Sequence, residues 1–522
     1  MVLGTASHVG KSLVTAALCR ILAQDGYRVA PFKAQNMSLN SAATPDGREI
    51  GRAQYLQAEA AGIAPSADMN PILLKPTSDR RSQVIVDGRI WGTVDAADYH
   101  RNRIELLFPR VRAAYERLAA QYDVIVLEGA GSPVEMNLRD GDLVNMRMAA
   151  AADARCLLVA DIDRGGVFAS VTGTFALLDA AERARFAGFV VNKFRGAPEL
   201  FADGVTMLEQ LCAKPCFGVI PHLPDLGLEE EDGVAAPSLA TRAAWRGAGP
   251  GRPTRIAVIA LPQLANFTDF DALAAEPSVE LVYASTPAAL ADADLTIVPG
   301  TKATLAALAW LRANGFADAI AERAGTAYVA GICGGMQILG ERVADPYAVE
   351  DGGVADGLAL LPLRTTLARE KITERAHGTL AEPALFGGAL TGAVAGYEIH
   401  VGETESCEPA TSHSTGVRPF ATIVRESSSS RSGHAIDDGA IAPDGHTFGT
   451  YLHGLFADDA FRHRFLGALR AARGLEPAAY VAHGAEREAR LDRWAAHVRA
   501  AVDIDAALRL GLPRVCRTAL PR

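Results

Sequence analysis

Three features are missing from the sequence: a long apolar run, an excess of positive charge and a secretion signal. No apolar run approaches the roughly 20 residues that cross a bilayer. The N-terminus lacks the basic start, apolar core and small-residue cleavage site of a signal peptide. The net charge is −10, whereas nucleic acids and anionic membranes select for basic surfaces. We therefore expect a cytoplasmic protein that binds neither nucleic acid nor membrane.

Cysteine is also scarce. Seven cysteines are scattered through 522 residues, and the only close pair, Cys212 and Cys216, has neither a second pair nor a histidine partner. A scattered, odd-numbered set of this kind stays as free thiols in a reducing compartment. The sequence therefore predicts neither a disulfide framework nor a cysteine metal site.

Core-forming residues, by contrast, are abundant. Apolar residues make up 49% of the chain and charged residues 21%, a profile typical of a soluble globular α/β protein. A chain of 522 residues is too long for one hydrophobic core, so two or three domains are expected.

Strand-like apolar runs alternate with helical patterns in both halves of the chain, which predicts two α/β units. We expect a first domain over residues 1–235, a linker over 236–253, a second domain over 254–475 and a C-terminal helical segment over 476–522. In the first domain the runs that predict buried parallel strands are RVAPFKA, DVIVLEGAG, ARCLLVADID, FAGFVVNKF and PCFGVIPHL. In the second they are TRIAVIALP, VELVYAS, ADLTIVPG and AYVAGICGG, followed by a more β-rich part.

A phosphate-binding loop is predicted near the N-terminus by GTASHVGKS. In the standard pattern, backbone N–H groups cradle phosphates while the lysine pairs with phosphate oxygens and the hydroxyl binds Mg²⁺. Five residues separate Gly4 from Gly10 instead of four, so Thr5 takes the usual first-glycine position before Lys11 and Ser12. The strand before the loop is only MVL, which leaves open a start further upstream.

Polar residues follow several of the predicted strands of the first domain. Ligands bind at the carboxyl ends of strands in open parallel sheets. A carboxylate there, beside a phosphate loop, is a candidate Mg²⁺ ligand, although the pattern also allows a solvated loop acid. A pair such as Asn-Lys could contact adenine. These strand-end residues are Glu128, Asp161, Asp163, Asn192 and Lys193.

A candidate nucleophile lies in the second domain, in AYVAGICGGMQILG. The pattern predicts a strand, a tight glycine-flanked turn carrying Cys333, and a helix. Such a turn exposes its central side chain and lets backbone N–H groups form an oxyanion hole. A partner base is available downstream: His453 in YLHGLF follows a strand-like run, and His400 in GYEIHVGET is an alternative that the sequence leaves open.

Two independent groups of motifs resemble one family. GTASHVGKS followed by APFKAQNMSLNS resembles the dethiobiotin-synthetase-like ATP domain of the cobyric acid synthase and cobyrinic acid diamide synthase family. GICGGMQILG with YLHGLF resembles the class I glutamine amidotransferase domain of the same family. Between them, VADIDRGGVFAS, VVNKFRG, GVIPHLPDL, VPGTKATL and GYEIHVGET follow in the order of that family.

The resemblance implies an α/β fold: an N-terminal P-loop domain with a doubly wound parallel sheet, and a C-terminal class I glutamine amidotransferase domain. It also implies an enzyme of cobalamin biosynthesis that uses ATP, Mg²⁺ and glutamine. The implied substrate is a corrinoid polycarboxylate, adenosylcobyrinic acid a,c-diamide, of which four side-chain carboxylates become amides. Ammonia must then pass between the two domains unprotonated, so we expect Cys333 to face the ATP site.

Residue roles follow from the same resemblance. Cys333 is the implied glutaminase nucleophile and His453 its general base. Gly10, Lys11 and Ser12 are implied to hold ATP phosphates and Mg²⁺.

Two further metal ligands are implied, and one expected residue is absent. Glu128 is implied as a magnesium ligand beside Ser12, and Asp46 in TPDGREIGRAQ is a further candidate. Most class I glutaminases place a glutamate two residues after the histidine, where this chain has Leu455. Since the family shares that gap, the sequence leaves open which group orients His453.

Three alternative functions can be compared with the motifs. Only the family resemblance distinguishes the amidation of four carboxylates from the reaction of cobyrinic acid a,c-diamide synthase. CTP synthase is disfavoured by KAQNMSLNS and by His-Gly-Leu in place of His-Pro-Glu. A regulatory P-loop ATPase with an inactive amidotransferase module is disfavoured because the loop has no extra early lysine and the cysteine is present.

Overall fold

The computed structural model describes residues 1–77, 81–224, 226–228, 251–350, 352–381, 385–407, 418–426 and 434–508. Most of the predicted linker over 236–253 lies outside these residues, as does the end of the predicted segment over 476–522. Within the described ranges, no helix is both long and apolar enough to cross a bilayer.

The N-terminal half alternates strands and helices as its apolar pattern predicts. Its strands are β1 (Val2–Gly4), β2 (Val29–Phe32), β3 (Gln35–Met37), β4 (Ser41–Ala43), β5 (Glu49–Gly51), β6 (Ile72–Pro76), β7 (Arg81–Val86), β8 (Arg89–Asp95), β9 (Val124–Leu127), β10 (Cys156–Asp161), β11 (Phe186–Phe194) and β12 (Cys216–Pro221). Its helices are α1 (Lys11–Gln24), α2 (Arg52–Ala60), α3 (Ala96–Ala119), α4 (Met146–Ala151), α5 (Val167–Leu177), α6 (Ala180–Arg185) and α7 (Ala202–Cys212).

The central sheet of this half is parallel and positions the phosphate loop. Strands pair in the order β1-β10-β11-β12, and a parallel bridge between Val2 and Glu128 joins this sheet to the parallel pair β2-β9. The five runs predicted as buried parallel strands correspond to β2, β9, β10, β11 and β12. The strand order reverses direction at β1, and ligands bind at such a switch point in open α/β sheets.

An additional β layer between β2 and β9 was not predicted from the sequence. It consists of a sheet in the order β3-β6-β7-β8 and the short hairpin β4-β5. The hairpin contacts the C-terminal domain, so this insertion forms part of the domain interface.

The C-terminal half contains two sheets. Its strands are β13 (Thr254–Ile259), β14 (Val279–Ala284), β15 (Leu295–Val298), β16 (Tyr328–Ile332), β17 (Arg342–Asp345), β18 (Gly353–Asp356), β19 (Leu363–Leu380), β20 (Ala393–Ser406), β21 (Ala421–Arg425), β22 (Ala435–Asp438), β23 (Ala440–Ile441), β24 (Thr447–Thr450) and β25 (Leu452–His453). Its helices are α8 (Asp271–Ala274), α9 (Thr304–Ala313), α10 (Phe316–Arg323), α11 (Gly334–Leu339), α12 (Asp459–Ala472), α13 (His483–Ala501) and α14 (Ile504–Leu508).

The first of these sheets has the order β14-β13-β15-β16-β24-β23, with the four predicted strands β13 to β16 in parallel. The second is built on the long antiparallel pair β19-β20, in the order β18-β17-β19-β20-β25, and β21 and β22 extend it. This arrangement agrees with the β-rich character expected for the later part of the domain.

The C-terminal segment returns to the N-terminal domain. Helix α13 packs along α1, the helix that follows the phosphate loop, where the Trp494 indole N–H donates to the Leu13 carbonyl at 2.7 Å. The Arg20 guanidinium also lies 2.8 Å from the Asp492 carboxylate. A helical segment was predicted here, but its packing against the first domain was not, because periodicity does not show which surface a helix covers.

Several buried polar contacts join the two domains. The Ser41 N–H donates to Asn266 Oδ1 and the Phe267 N–H donates to Asn40 Oδ1, each at 3.0 Å. These reciprocal bonds hold the loop around Asn266 against the β4-β5 hairpin.

Candidate active site

The strand-turn-helix around Cys333 has the geometry of a tight strand-to-helix turn. Cys333 connects β16 to α11 with φ 52° and ψ −114°, a conformation that non-glycine residues rarely adopt. A Cβ on Gly335 would lie 1.9 Å from the Val298 carbonyl oxygen, and one on Gly331 would lie 2.6 Å from the Met336 backbone. The flanking glycines are therefore required by close backbone packing, in agreement with the predicted tight turn.

His453 is the histidine that approaches the cysteine. Its imidazole lies beside Cys333, and the two side chains line the same cavity. Both side chains border Gly300, on which a Cβ would lie 3.3 Å from His453 Cε1 and 3.8 Å from Cys333 Cβ. The Cys333 thiol is also 3.6 Å from the Ile399 carbonyl oxygen. The arrangement thus places a thiol beside an imidazole, the two groups that the sequence predicted as nucleophile and base.

Asp269 lies behind this histidine. Its Oδ2 is 2.6 Å from His453 Nδ1, and its Oδ1 accepts a hydrogen bond from the Gly454 N–H at 3.0 Å. Burial opposes a charge on His453, but the Asp269 carboxylate and Cys333 raise the pKa of His453 to about 10. Cys333, His453 and Asp269 therefore have the connectivity of a nucleophile-histidine-carboxylate triad.

Asp269 was missed from the sequence. It lies 184 residues before His453, in the 3-10 turn Phe267–Phe270 that follows β13. The expected acid position two residues after the histidine is Leu455, which is buried in the core. The only signal in the sequence was a carboxylate shortly after the first strand of the domain, which is common in α/β proteins.

His400, the alternative base, makes different contacts. Its Nε2 is 3.3 Å from Glu398 Oε1, and its ring stacks on Tyr451 with 3.6 Å between ring centroids. Burial lowers the pKa of His400 despite the Glu398 carboxylate. The described contacts therefore join Cys333 to His453, while His400 lines another part of the same cavity.

This cavity lies at the domain interface. It has a volume of about 40 Å³ and contains Cys333 and His453 in its lining, together with Lys75 from the N-terminal domain. Lys75 Nζ is 2.5 Å from Glu49 Oε1, and Lys371 of the C-terminal domain binds the other Glu49 oxygen. Cys333 thus shares a cavity with a residue of the N-terminal domain. That it faces the ATP site stays a prediction.

A second cavity, of about 240 Å³, follows the phosphate loop. Five of the residues that the sequence singled out line it: Gly10, Lys11, Ser12, Glu128 and Lys193. Three others in the lining, Lys33, Asn36 and Met37, belong to the motif APFKAQNMSLNS.

Gly10 and its neighbours explain the shape of this loop. Gly10 has φ 97°, and a Cβ there would lie 2.3 Å from the Asn192 amide nitrogen. Asn192 itself donates to the Val9 carbonyl at 2.9 Å, and Thr5 donates its N–H to the Val159 carbonyl at 3.0 Å. Thr5 and Asn192 therefore support the loop from outside the set of residues that line the cavity.

Lys193 lies at the rim of the same loop. Its ammonium donates to the His8 carbonyl at 2.6 Å and lies 3.2 Å from Asp161 Oδ2. Asp163 instead pairs with Arg195 at 2.5 Å. Of the two aspartates at this strand end, Asp161 is the one connected to the phosphate loop.

Glu128 and Ser12 form an oxygen-rich corner of the nucleotide cavity. The Ser12 hydroxyl donates to Glu128 Oε1 at 2.8 Å, and Gln57 donates to Oε2 at 2.6 Å. Burial opposes ionisation, but the Lys33 ammonium and these hydrogen bonds keep the pKa of Glu128 below its ordinary value. Mg²⁺ is commonly held by one or two carboxylates, a hydroxyl and phosphate oxygens, so this pair fits it.

Asp46 is placed elsewhere. It lies in the turn between β4 and β5, where it accepts a hydrogen bond from the Thr44 hydroxyl at 2.6 Å and pairs with Arg48 at 3.1 Å. Its side chain is 60% exposed and is not part of the nucleotide cavity lining. The structure therefore does not bring Asp46 together with Ser12 and Glu128.

Comparisons with known proteins agree with both halves of the chain. Residues 1–234 match the model of the CobQ/CobB/MinD/ParA nucleotide binding domain. Residues 255–461 match that of the CobB/CobQ-like glutamine amidotransferase domain. Among solved structures, a glutamine amidotransferase aligns with 42% of this chain and 99% of its own at 15% identity and a TM-score of 0.29. The MinD cell division protein of Aquifex aeolicus aligns with 43% of this chain and 82% of its own at 16% identity and a TM-score of 0.25.

Relatives that align over nearly their full length show the family of this chain. The cobyric acid synthase of Klebsiella pneumoniae is 49% identical over 510 residues, which cover 97% of this chain and 96% of the relative. The cobyric acid synthase of Salmonella typhi is 49% identical over 511 residues, with the same coverage of both chains. The two domain types and the arrangement of residues at Cys333 and at the phosphate loop agree with this similarity, and the chain belongs to the cobyric acid synthase family.

Proposed function

We propose that the protein is an ATP- and glutamine-dependent ligase that amidates four side-chain carboxylates of adenosylcobyrinic acid a,c-diamide in cobalamin biosynthesis. The observation that carries this proposal is the position of Cys333 beside His453, which binds Asp269, in a cavity that borders the nucleotide-binding domain. Glutamine hydrolysis at such a triad supplies ammonia, and the N-terminal nucleotide-binding domain supplies an activated carboxylate.

The first reaction is release of ammonia from glutamine. Asp269 favours the protonated form of His453, so a proton donor lies beside the sulfur. The thiolate is the nucleophilic form of cysteine. The sulfur attacks the carboxamide carbon, and backbone N–H groups at the start of α11 are suited to stabilise the oxyanion. His453 then donates its proton to the leaving nitrogen, which departs as ammonia and leaves a thioester. Water, deprotonated by the now neutral His453, hydrolyses the thioester to glutamate.

The second reaction makes a carboxylate reactive. A carboxylate at neutral pH does not react with ammonia, whereas an acyl phosphate does. Lys11 and the N–H groups of the phosphate loop are placed to bind ATP phosphates, so that catalysis consists mainly of positioning and charge stabilisation. Mg²⁺, held by Ser12, Glu128 and phosphate oxygens, would neutralise the charge that develops on the transferred phosphoryl group.

Ammonia transfer is supported by the position of the two cavities. The cavity that contains Cys333 includes Lys75, whose strand β6 pairs with β3, and Asn36 of β3 lines the nucleotide cavity. One pair of strands thus connects the two sites through the interior of the N-terminal domain.

Cellular location forms part of the proposal. The described cysteines, in the ranges ending at residue 508, are free thiols. We propose that the enzyme acts in the cytoplasm, where thiols remain reduced.

The direct test is to incubate the protein with ATP, Mg²⁺, glutamine and adenosylcobyrinic acid a,c-diamide and to follow the corrinoid by mass spectrometry. Four successive steps, each replacing a hydroxyl group by an amino group, are expected. Cys333→Ala should abolish the use of glutamine and retain activity with ammonium chloride. An unchanged corrinoid mass with either nitrogen source would refute the proposed function.

A further inference from the structure

A second histidine lies in the glutaminase cavity and has no role in the reaction described above. His400 is 5% exposed and lines the cavity together with Cys333 and His453. Its Nδ1 atom has no hydrogen-bond partner within the described ranges. A buried polar atom without a partner is costly, so Nδ1 is a candidate acceptor for a donor group of a ligand.

The orientation of His400 is fixed on its other sides. Its Nε2 is 3.3 Å from Glu398 Oε1, and Glu398 forms an ion pair with Arg425 at 2.5 Å. One face of the ring stacks on Tyr451, with an angle of 12° between the ring planes. The Glu398 carboxylate assigns the proton of a neutral imidazole to Nε2, so Nδ1 keeps its lone pair.

His400 and His453 therefore offer opposite hydrogen-bonding groups to one cavity. Burial lowers the pKa of His400, whereas Asp269 raises that of His453. At neutral pH, His453 is a donor beside Cys333 and His400 is an acceptor. A ligand that fits both must present a donor to His400.

We propose that His400 Nδ1 accepts a hydrogen bond from the side-chain carboxamide nitrogen of glutamine and makes the site select glutamine over glutamate. The inference rests on the proposed glutaminase function. The carboxamide nitrogen of glutamine carries two N–H donors, whereas the ionised side chain of glutamate presents only lone pairs. Glutamate, the product, would place a carboxylate oxygen against the Nδ1 lone pair and is disfavoured.

Two substitutions at this position separate the acceptor from the rest of the side chain. The amide of His400→Asn reaches the place of Nδ1 and can present an oxygen there. The amide of His400→Gln reaches the place of Nε2, next to Glu398, and leaves no acceptor at Nδ1. A matched control is His377→Gln, because His377 is an exposed histidine on β19 that pairs with Glu426 at 3.2 Å, away from the cavity.

The measurement is the KM for glutamine, the inhibition constant for glutamate, and ammonia-supported amidation in each variant. His400→Gln is expected to raise the glutamine KM about tenfold and to lower the ratio of the glutamate inhibition constant to the glutamine KM by about tenfold or more. His400→Asn should keep that ratio within about threefold of the wild type, as one hydrogen-bond acceptor is retained. His377→Gln should match the wild type, and ammonia-supported amidation should be equal in all of them.

An unchanged ratio in a His400→Gln variant that retains ammonia-supported activity would overturn the inference. If that variant does not fold, the His400→Asn variant decides. Loss of its preference for glutamine over glutamate, with an acceptor still present, would also overturn the inference. Failure of the wild type itself to hydrolyse glutamine would instead refute the proposed function, so the two outcomes are distinguishable.

Discussion

Asp269 and His453 are 184 residues apart in the chain, and their side chains meet at 2.6 Å. The carboxylate comes from the turn after the first strand of the amidotransferase domain, while the histidine belongs to a short strand near its end. The same carboxylate also binds the Gly454 N–H, so it fixes both the ring and the backbone beside it. The missing acid after His453 is therefore replaced from a distant part of the sequence.

We predict that Asp269→Asn abolishes most glutamine use. An amide at this position can donate to Nδ1 and stabilise the wrong tautomer of His453, and a comparable substitution in serine proteases lowers kcat by roughly ten-thousandfold. Glutamine-dependent kcat should fall by about three to four orders of magnitude, while ammonia-dependent amidation is retained. Asp271→Asn, two residues further along and outside the cavity lining, should behave as wild type. Equal loss with both nitrogen sources would show that Asp269 supports folding instead.

The same pair predicts a pH dependence of stability. The folded-state pKa of His453 is about 10, above its ordinary value of 6.5. A raised pKa gives stability that is fully present below the unfolded pKa and is lost as pH rises through the folded pKa. The Tm of the wild type should therefore exceed that of Asp269→Asn near neutral pH, and the difference should shrink as pH rises through about 10. A Tm difference that does not change with pH would contradict the proposed ion pair.

The nucleotide site gives a test of the two carboxylates that the sequence proposed as metal ligands. Glu128→Gln should lower ammonia-supported, ATP-dependent amidation by about a hundredfold or more, because it removes a charged ligand next to the phosphates. Asp46→Asn should change that rate less than about twofold, since Asp46 is an exposed turn residue with surface partners. Rates measured across a Mg²⁺ titration separate weaker metal binding from misfolding. A similar loss of the amidation rate in both variants would show that Asp46 takes part in metal binding.

The sequence predicted the local turns of the site but not the contacts between residues that are far apart in the chain. The glycines around Cys333 and the GKS of the phosphate loop determine local backbone geometry, so their spacing predicted both turns and the strands before them. Asp269 and Lys75 act across long distances in the chain, and no local pattern distinguishes them from ordinary polar residues. For the same reason, helix α13 was predicted as a helix without its packing partner.

The domain interface depends on a buried carboxylate. Glu49 is 1% exposed and binds Lys75 from its own domain and Lys371 from the other. Burial opposes its ionisation, but the two ammonium groups keep the pKa of Glu49 below its ordinary value of 4.5. Its contribution to stability is therefore present above that pH and is lost as pH falls.

We predict that Glu49→Gln destabilises the protein by about 3–5 kcal/mol, because it leaves two buried lysines without a counter-charge. Adding Lys371→Met should recover part of the loss, since it removes one of those charges. Urea unfolding at neutral pH measures the free energy of unfolding of both variants. The difference in this free energy between the wild type and Glu49→Gln should become smaller in acid. If Glu49→Gln does not change the free energy of unfolding, water enters the interface and screens the lysines.

Helix α13 should stabilise the nucleotide domain although it lies near the end of the described chain. Trp494 is 5% exposed, packs in the core shared with α1 and donates its indole N–H to the Leu13 carbonyl, next to the Ser12 of the phosphate loop. Trp494→Ala should cost about 3–5 kcal/mol of stability by leaving a cavity. ATP affinity, measured by calorimetry at low temperature, should fall more than glutamine hydrolysis does. Trp91→Ala is the matched control, because Trp91 is 46% exposed and should cost little. Equal loss of glutamine hydrolysis and ATP binding in Trp494→Ala would contradict a role confined to the first domain.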